Sequence, residues 1–435
     1  MLQRRQTNQR LAIGLIVLQA IALLVIVFAT LPLVYQRHTM DMGLYYEYSL
    51  RLMQGQMPYR DFAMEYPPLA LLPFTLPRLA ALGRALDFSG YVRLFLLQNA
   101  IYSTLVALTI VQILREWRPA PLAGPALALY ALLVAVSAPL LPWRYDLFPA
   151  LLTALALLCL LRGRPAWAGF WLGCGVAAKL YPIVLLPIFG AYYLAGRDRR
   201  ALARLALGGA IALAITLLPF ALADPRDLTS FLRYHELRGL QIESLPAGAI
   251  VLAHVFGRGA AQLHFSHGAL NLVSPLASAA LKWLPLAFLA VFGVVSAAGL
   301  ARFRQERAAR GAIAHESLAV YMVAALLAFI ATNKVFSPQY LIWLLPFAPL
   351  LRRRHAGAIL AIFAITIVLF PFDYDALLAM HLAPVLLLNL RNLLVAALLI
   401  WLLIDRAPAL SWAALPLRRW SGGAAEVAET VQVKD

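Results

Sequence analysis

Residues 11–34 read LAIGLIVLQAIALLVIVFATLPLV, and residues 37–68 read RHTMDMGLYYEYSLRLMQGQMPYRDFAMEYPP. The first run is apolar and long enough to cross a lipid bilayer as one helix. The second run mixes six tyrosines and phenylalanines with four acids, which are Asp41, Glu47, Asp61 and Glu65. We predict that residues 35–83 form a first external loop that lies against the membrane surface and carries surface helices.

The composition places the chain among membrane proteins. Of its 435 residues, 63% are hydrophobic and 13% are charged, and apolar runs of about 20 residues recur along it. We predict an all-α, polytopic integral membrane protein with about twelve transmembrane helices rather than two or three soluble domains. One transmembrane domain is expected at 11–404, between a cytoplasmic N-terminus at 1–10 and a cytoplasmic, partly disordered tail at 405–435.

Two segments do not fit a simple pattern of spans. Residues 66–83 are apolar but short and rich in proline, so we predict a Pro-bent helix on the outer face. Residues 223–273 are too polar and broken for simple spans and are expected to form a second external region with surface helices. After residues 11–34, the predicted spans are 91–114, 122–141, 145–161, 165–178, 180–195, 203–222, 274–301, 315–332, 338–351, 356–371 and 383–404.

The distribution of charge predicts the orientation. The chain has 37 Lys and Arg against 20 Asp and Glu, a net charge of +17. The basic residues fall in short clusters between apolar runs rather than in one patch, which follows the positive-inside rule and speaks against nucleic acid as a partner. We therefore expect both termini inside, most acids outside, and the chemistry on the external face of a cell membrane, with membrane lipids as partners.

The first external loop holds the strongest catalytic candidate. Asp41 precedes the aromatic run around Tyr45 and is a candidate general base, although an acid at a helix N-terminus is the plainer alternative. Carboxylates beside aromatic rings, Tyr45 and Tyr59 among them, suit the binding of a sugar. Asp61 and Glu65 are one helical turn apart and would share one face; they would position substrate or simply pair with Arg60.

Three charged residues interrupt apolar segments at the predicted outer boundary. Arg144 and Asp146 lie between two spans, where such residues are usually paired or functional. They would contact substrate or form a local ion pair that anchors a helix end. Lys179, at the tip of a short helical hairpin, suits binding of a lipid phosphate, and the alternative is a side chain that reaches the interface.

Two further external stretches contribute candidates. His235, Arg238 and Glu243 form a polar cluster in the second external region, and Lys334 and Gln339 lie between two spans on the same side. They would form a binding surface for donor or acceptor, or an ordinary hydrated loop. We expect no metal site, because the ligand-like histidine spacing in the chain lacks a nearby acid or cysteine.

Five motifs give the chain a family resemblance. They are DMGLYYEYSLRLMQGQMPYRDFAMEYPPL at 41–69, RYDLFPALL at 144–152, GVAAKLYPIVLLP at 175–187, RGLQIES at 238–244 and KVFSPQYLIWLLP at 334–346. In this order they resemble polytopic GT-C-type glycosyltransferases, and within these glycosyltransferase family 87, the polyprenol-phosphate-mannose-dependent mannosyltransferase-like group. The resemblance runs from about residue 11 to 404.

The resemblance implies a reaction and roles for particular residues. It implies inverting transfer of a sugar, mannose or another hexose, from a polyprenyl-phosphate donor to a glycolipid, glycan or protein acceptor. It implies no nucleotide, no obligatory metal and no cofactor. Asp41 matches the family's base, and Lys179, Tyr181 and Pro182 match its segment near the lipid phosphate.

Two readings from other classes remain open. A transporter or flippase of a lipid-linked or small polar solute would carry charged residues at mid-depth of its spans. Most predicted spans carry no charged residue at mid-depth, but Arg391 and Asn392 interrupt the last one and favour this alternative. An accessory subunit of an envelope-assembly complex is the third reading.

Overall fold

The computed structural model describes residues 2–117, 123–224 and 227–405. The predicted tail therefore lies, after its first residue, outside the described residues. The regular elements of the described chain are helices and one small sheet. The helices are α1 (Leu2–Met53), α2 (Leu71–Ala80), α3 (Phe88–Trp117), α4 (Ala123–Ser137), α5 (Leu147–Leu161), α6 (Pro165–Ala178), α7 (Leu186–Ala195), α8 (Arg199–Ala223), α9 (Ser230–Leu237), α10 (Leu245–Val255), α11 (Pro275–Arg310), α12 (His315–Thr332), α13 (Arg353–Ile367), α14 (Tyr374–Leu378) and α15 (Leu382–Ile404).

The helices confirm an all-α polytopic membrane protein. Seven helical segments of the described chain are long and apolar enough to cross a membrane. Four shorter apolar helices hold 10–17 residues each. One predicted span is wrong, because residues 338–351 form two 3-10 helices, Pro338–Leu344 and Ala348–Leu350, buried in the core. Three prolines in this stretch remove the amide donors that an α-helix would need.

Helix α1 is longer than the sequence suggested. It runs without a break from Leu2 to Met53, so the predicted loop does not begin at residue 35. Packing holds its last turns helical, since Tyr45 is buried and stacks on Phe74 at 4.4 Å and on Phe95 at 5.5 Å. At 1.5 Å per residue, the 31 residues from the start of the apolar run to Asp41 cover about 46 Å, more than the hydrocarbon core of a bilayer.

The two irregular regions are partly as predicted. Residues 66–83 contain only the short α2, preceded by a 3-10 turn at Pro68–Ala70, and so form a Pro-bent helix too short to span. In 223–273 the helices α9 and α10 are joined by a sheet that we did not predict. Its strands are β1 (Leu240–Gln241), β2 (Gln262–Ser266) and β3 (Ala269–Val273), antiparallel in the order β1-β3-β2. The β2–β3 turn has positive φ at His267 (49°) and Gly268 (66°).

Small residues bring α6 and α8 into very close contact. A Cβ added at Gly169 would lie 1.9 Å from the carbonyl oxygen of Leu205, and one added at Gly208 would lie 1.9 Å from that of Ala166. A side chain therefore cannot be accommodated at either position without separating the helices. Gly173 takes part in the same contact, since a Cβ added there would lie 2.7 Å from the carbonyl oxygen of Gly209. Small residues that allow such close approach are typical of packing between membrane helices.

The bundle has two chemically different ends. At one end Leu11 lies beside Gly124, and the ion pairs Arg162–Glu116 (2.9 Å) and Arg352–Glu316 (2.8 Å) gather with the arginine clusters. We call this the arginine-rich end. At the other end of α1, Asp41 contacts Arg144, and the pair of Asp146 and Lys179 lies beside them.

Candidate functional site

Two ion pairs join three segments of the chain at the end of the bundle opposite the arginine clusters. Asp41 on α1 pairs with Arg144, which follows α4, with 2.8 Å between Oδ2 and Nη2. Asp146, at the start of α5, accepts a hydrogen bond of 2.6 Å from Nζ of Lys179, which follows α6. Of the two alternatives for Arg144 and Asp146, the local ion pair between them is not formed, since each charge is matched by a residue distant in sequence.

Lys179 is held by a buried carboxylate and by aromatic rings, so it is not the isolated cation that we expected. Asp146 is fully buried and the Lys179 side chain is 16% exposed. The indole Nε1 of Trp343 donates to the same Asp146 oxygen at 2.7 Å. Trp343 itself lies between two stacked rings, those of Tyr181 and Tyr340, each with its centroid 4.0 Å away. These contacts fix the position of the ammonium.

Asp41 is the accessible member of its pair. Its side chain is 30% exposed, whereas that of Arg144 is 4% exposed. Arg144 also donates to the carbonyl of Trp143 at 3.3 Å, which anchors the guanidinium in the interior. The arrangement orients the Asp41 carboxylate from behind while leaving it within reach of a molecule at the surface.

The predicted tyrosines form the wall beneath these charges rather than a contact surface. Tyr45, Tyr59 and Tyr181 are 1%, 5% and 2% exposed, so the predicted direct contact of these rings with a substrate is not supported. Tyr45 packs edge-on against Tyr145 at 5.7 Å. The Tyr59 hydroxyl donates to the carbonyl of Tyr66, which shapes the loop after α1.

A second group of polar residues faces the site from the loop after α1 and from α9. Glu65 is hydrogen-bonded to Tyr234, and burial together with this carboxylate raises the pKa of the Tyr234 hydroxyl above its usual value. Burial, together with the neighbouring cations Arg238 and Lys179, lowers the pKa of His235 to about 4. The imidazole is therefore neutral at physiological pH.

Arg238 and Lys334 complete a cationic region around His235. Nε of Arg238 donates to the carbonyl of His267 at 3.0 Å, and Nζ of Lys334 donates to the carbonyl of Glu236 at 2.6 Å. Burial lowers the pKa of Lys334, and Arg238 lowers it further. Gln339 lies half-buried in the 3-10 helix that also carries Tyr340.

Glu243 has a structural role and does not face the site. It is 1% exposed and lies 3.5 Å from Arg391 of α15. Gln241 donates to its carboxylate at 3.1 Å, and burial raises the pKa of Glu243 to about 7. The prediction of a substrate contact is wrong here. The same contact accounts for Arg391 in the last span without a transport path, because the arginine ties β1 and α10 to α15.

Asp61 likewise lies apart from the paired charges. It accepts from Arg60 at 2.9 Å and from the backbone N–H of Met57 at 2.7 Å, and the bond from Arg60 lowers the pKa of Asp61 to about 2. Residues 54–67 are not helical, so the shared helical face predicted for Asp61 and Glu65 is wrong. The alternative we had considered, pairing with Arg60, is what the structure shows.

Several residues of the site were missed as individual candidates. Tyr66 packs edge-on against Tyr145 at 5.2 Å, and Tyr340 and Trp343 form the stack that holds Asp146. The spacing of Tyr340 and Trp343, three residues apart beside Pro338, was the available signal. Side chains three apart share a face in any tight helical turn.

The fold and the comparisons with known proteins define a polytopic membrane glycosyltransferase. The sequence profile named Glycosyltransferase family 87 matches residues 64–329, more than half of the chain. The chain belongs to glycosyltransferase family 87. The matched range includes Arg144, Asp146 and Lys179, whereas Asp41 precedes it. The resemblance inferred from the five motifs is thereby confirmed.

A solved structure provides a weaker comparison. The chain is similar to the crystal structure of the Archaeoglobus fulgidus oligosaccharyltransferase in complex with zinc and sulfate, with 15% identity and a TM-score of 0.34. The similarity covers 81% of this chain and 49% of that one, so the chain spans about half the length of that protein. Among curated proteins no match is found.

Proposed function

We propose that the protein transfers a sugar, mannose or another hexose, from a polyprenyl-phosphate donor to an acceptor hydroxyl, with inversion, on the external face of the cell membrane. The observation that carries the proposal is the meeting of the Asp41–Arg144 and Asp146–Lys179 pairs at the end of the bundle away from the arginine clusters. The positive-inside rule puts those clusters in the cytoplasm and the paired charges outside.

Asp41 is the proposed general base. The acceptor hydroxyl gives its proton to the Asp41 carboxylate while its oxygen forms a bond to the anomeric carbon of the sugar. The bond between that carbon and the phosphate oxygen breaks, and its electron pair leaves with the lipid phosphate. Attack opposite the leaving group inverts the configuration. Arg144 holds the carboxylate in place at 2.8 Å.

The cations near His235 are the proposed phosphate contacts. Lys179, Arg238 and Lys334 lie near enough to His235 for their charges to lower its pKa. Fixed cations stabilise the charge that develops on a leaving phosphate. Because the donor is anchored in the bilayer, its anomeric carbon stays near the headgroups, and positioning against Asp41 supplies a large part of the catalysis. A leaving group with one phosphate requires no nucleotide and no obligatory metal.

The proposal is tested with the purified full chain in nanodiscs and a panel of synthetic polyprenyl-phosphate sugars. The assay contains EDTA and a total membrane lipid extract as acceptor. Wild type is expected to consume one donor, and Asp41→Asn to lose activity by about 10²–10⁴-fold, the usual effect of removing a general base. Glu47→Gln is the matched control, because Glu47 lies on the same helix, is 53% exposed and pairs with Arg51.

The outcomes separate the alternatives. An active Asp41→Asn variant would move the base to another carboxylate, with Glu65 the next candidate. Absence of turnover with every donor, combined with tight binding of a polyprenyl phosphate, would favour transport or an accessory role instead.

A further inference from the structure

We propose that a cleft between the ends of α6, α7 and α8, at the arginine-rich end of the bundle, binds the phosphate headgroup of an anionic membrane lipid. The cleft has a volume of about 450 Å³ and is lined by Gly163, Pro165, Tyr193, Asp198, Arg200 and Arg204. It is separate from the candidate functional site, which lies at the other end of the helices. The inference therefore does not depend on the proposed function.

The hydroxyl of Tyr193 points to a missing ligand. The Tyr193 side chain is 7% exposed, and its oxygen is buried without a hydrogen-bond partner among the described residues. Leaving a buried polar group unpaired is unfavourable by about 1–3 kcal/mol. Tyr193 lines the cleft but its hydroxyl is enclosed, so a phosphate group that widened the cleft on binding would let this hydroxyl donate to a phosphate oxygen.

The cleft opens onto a face of α8 that is complementary to a lipid, with arginines near the cleft and apolar side chains along the rest of the helix. At 100° per residue, Arg200 and Arg204 share an arc of about 80° with five apolar side chains further along the helix. Those five are Leu207, Ile211, Ile215, Leu218 and Leu222, and they are 59%, 45%, 61%, 54% and 77% exposed. From Arg204 to Leu222, this strip of apolar side chains is about 27 Å long at 1.5 Å per residue, a length that suits an acyl chain. A free phosphate ion would make no contact with this apolar strip.

The surrounding charges favour an anion. Asp198 is the acid that lines the cleft, and its carboxylate caps α8 by accepting from the backbone N–H of Ala201 at 2.9 Å. Arg164, Arg197 and Arg199 are exposed around it. Clusters of arginine next to a transmembrane segment attract anionic lipid headgroups.

The test measures lipid binding to the delipidated full chain by native mass spectrometry, with phosphatidylglycerol and phosphatidylcholine as probes. Wild type is expected to prefer phosphatidylglycerol. Arg200→Gln with Arg204→Gln is expected to weaken that binding about thirtyfold, since each arginine near a membrane surface contributes about fivefold. Tyr193→Phe is expected to weaken it by a smaller factor, about threefold to tenfold.

The matched control removes the same charge elsewhere at this end. Arg304→Gln with Arg310→Gln changes two exposed arginines of α11 that do not line the cleft, and is expected to leave phosphatidylglycerol binding within about twofold. Equal losses in both double variants, or equal binding of phosphatidylcholine, would overturn the proposal. Displacement of phosphatidylglycerol by millimolar inorganic phosphate would also overturn it in favour of a free-anion site. Tyr193→Phe keeps the test decisive if a double variant does not fold.

Discussion

At the scale of single residues, the ammonium of Lys179 shows how the fold keeps a cation at the edge of an apolar core. The 2.6 Å contact to Asp146 supplies a counter-ion, and the ring of Tyr145 lies 4.7 Å from Nζ. A charge in such a place is stable only when a partner and hydrogen bonds compensate its lost hydration. The position of the Lys179 ammonium is thus set by a buried carboxylate and an aromatic ring.

We expect Asp146→Asn to destabilise the protein by about 3–5 kcal/mol, because it leaves Lys179 without its buried counter-ion. The double variant Asp146→Asn, Lys179→Met should recover part of the lost stability, since a buried neutral pair is tolerated better than a buried charge without its counter-ion. Thermal unfolding in detergent measures both effects. Asp61→Asn, which alters an exposed pair, should leave the unfolding temperature nearly unchanged. Strictly additive effects of the two substitutions would contradict the coupling.

The sequence allowed these charges to be named but not paired. Asp41, Arg144, Asp146 and Lys179 stand out because each adjoins an apolar run. Their partners depend on how α1, α5 and α6 come together, and local spacing does not report that. The same limit explains Glu243, whose partner Arg391 lies 148 residues further on. Only the fold shows that this acid is enclosed.

At the scale of helices, the contact between α6 and α8 depends on glycine. A Cβ at Gly169 would meet the backbone of Leu205 at 1.9 Å, and backbone cannot move aside as a flexible side chain can. Gly293 of α11 is its opposite, because a Cβ there meets nothing within 4 Å. The two positions form a matched pair for one substitution.

We expect Gly169→Ala to lower the free energy of unfolding by about 1–3 kcal/mol through overpacking between α6 and α8. Gly293→Ala should be neutral or stabilising by up to about 1 kcal/mol, since alanine favours a helix more than glycine does. Thermal unfolding of both variants in the same detergent gives the comparison. If both behaved alike, the close approach of the helices would not exist in solution.

The elements most visible in the sequence were the apolar helices, because length and composition alone indicate a span. Two elements were missed for identifiable reasons. Polar residues after Val34 suggested a loop, yet burial of the aromatic face keeps α1 helical to Met53. The β2–β3 hairpin had a signal that was overlooked, since His267-Gly268 between two alternating runs is typical of a two-residue turn with positive φ.

At the scale of the whole molecule, the opposite ends predict the orientation in the membrane. On a background with both native cysteines replaced, Gln54→Cys at the Asp41 end should react in intact cells with a membrane-impermeant maleimide. Gln305→Cys at the arginine-rich end should react only after permeabilisation. Both positions are exposed, and the positive-inside rule supplies the direction. The reverse pattern of labelling would place the paired charges in the cytoplasm.

At the scale of the whole molecule, the distribution of charge was the feature that could be predicted from the sequence. The arginine clusters follow the end of α5, occupy the last turns of α11 and flank the starts of α8 and α13, and the structure brings them to one end of the bundle. The path of residues 338–351 was not accessible in that way. An apolar run of this length is compatible with a span, and only its packing around Trp343 shows that it is an internal turn.

Because α1 is continuous, the direction of the Asp41 carboxylate around the helix axis is fixed relative to the apolar segment 11–34. One residue inserted between residues 11 and 34 would turn Asp41 by about 100° about the helix axis and advance it by about 1.5 Å, away from Arg144. Seven inserted residues would restore the angle to within about 20° but lift the carboxylate by about 10 Å. One continuous helix thus sets both the depth of the Asp41 carboxylate and its direction around the helix axis. A change in bilayer thickness that tilts α1 also moves this carboxylate.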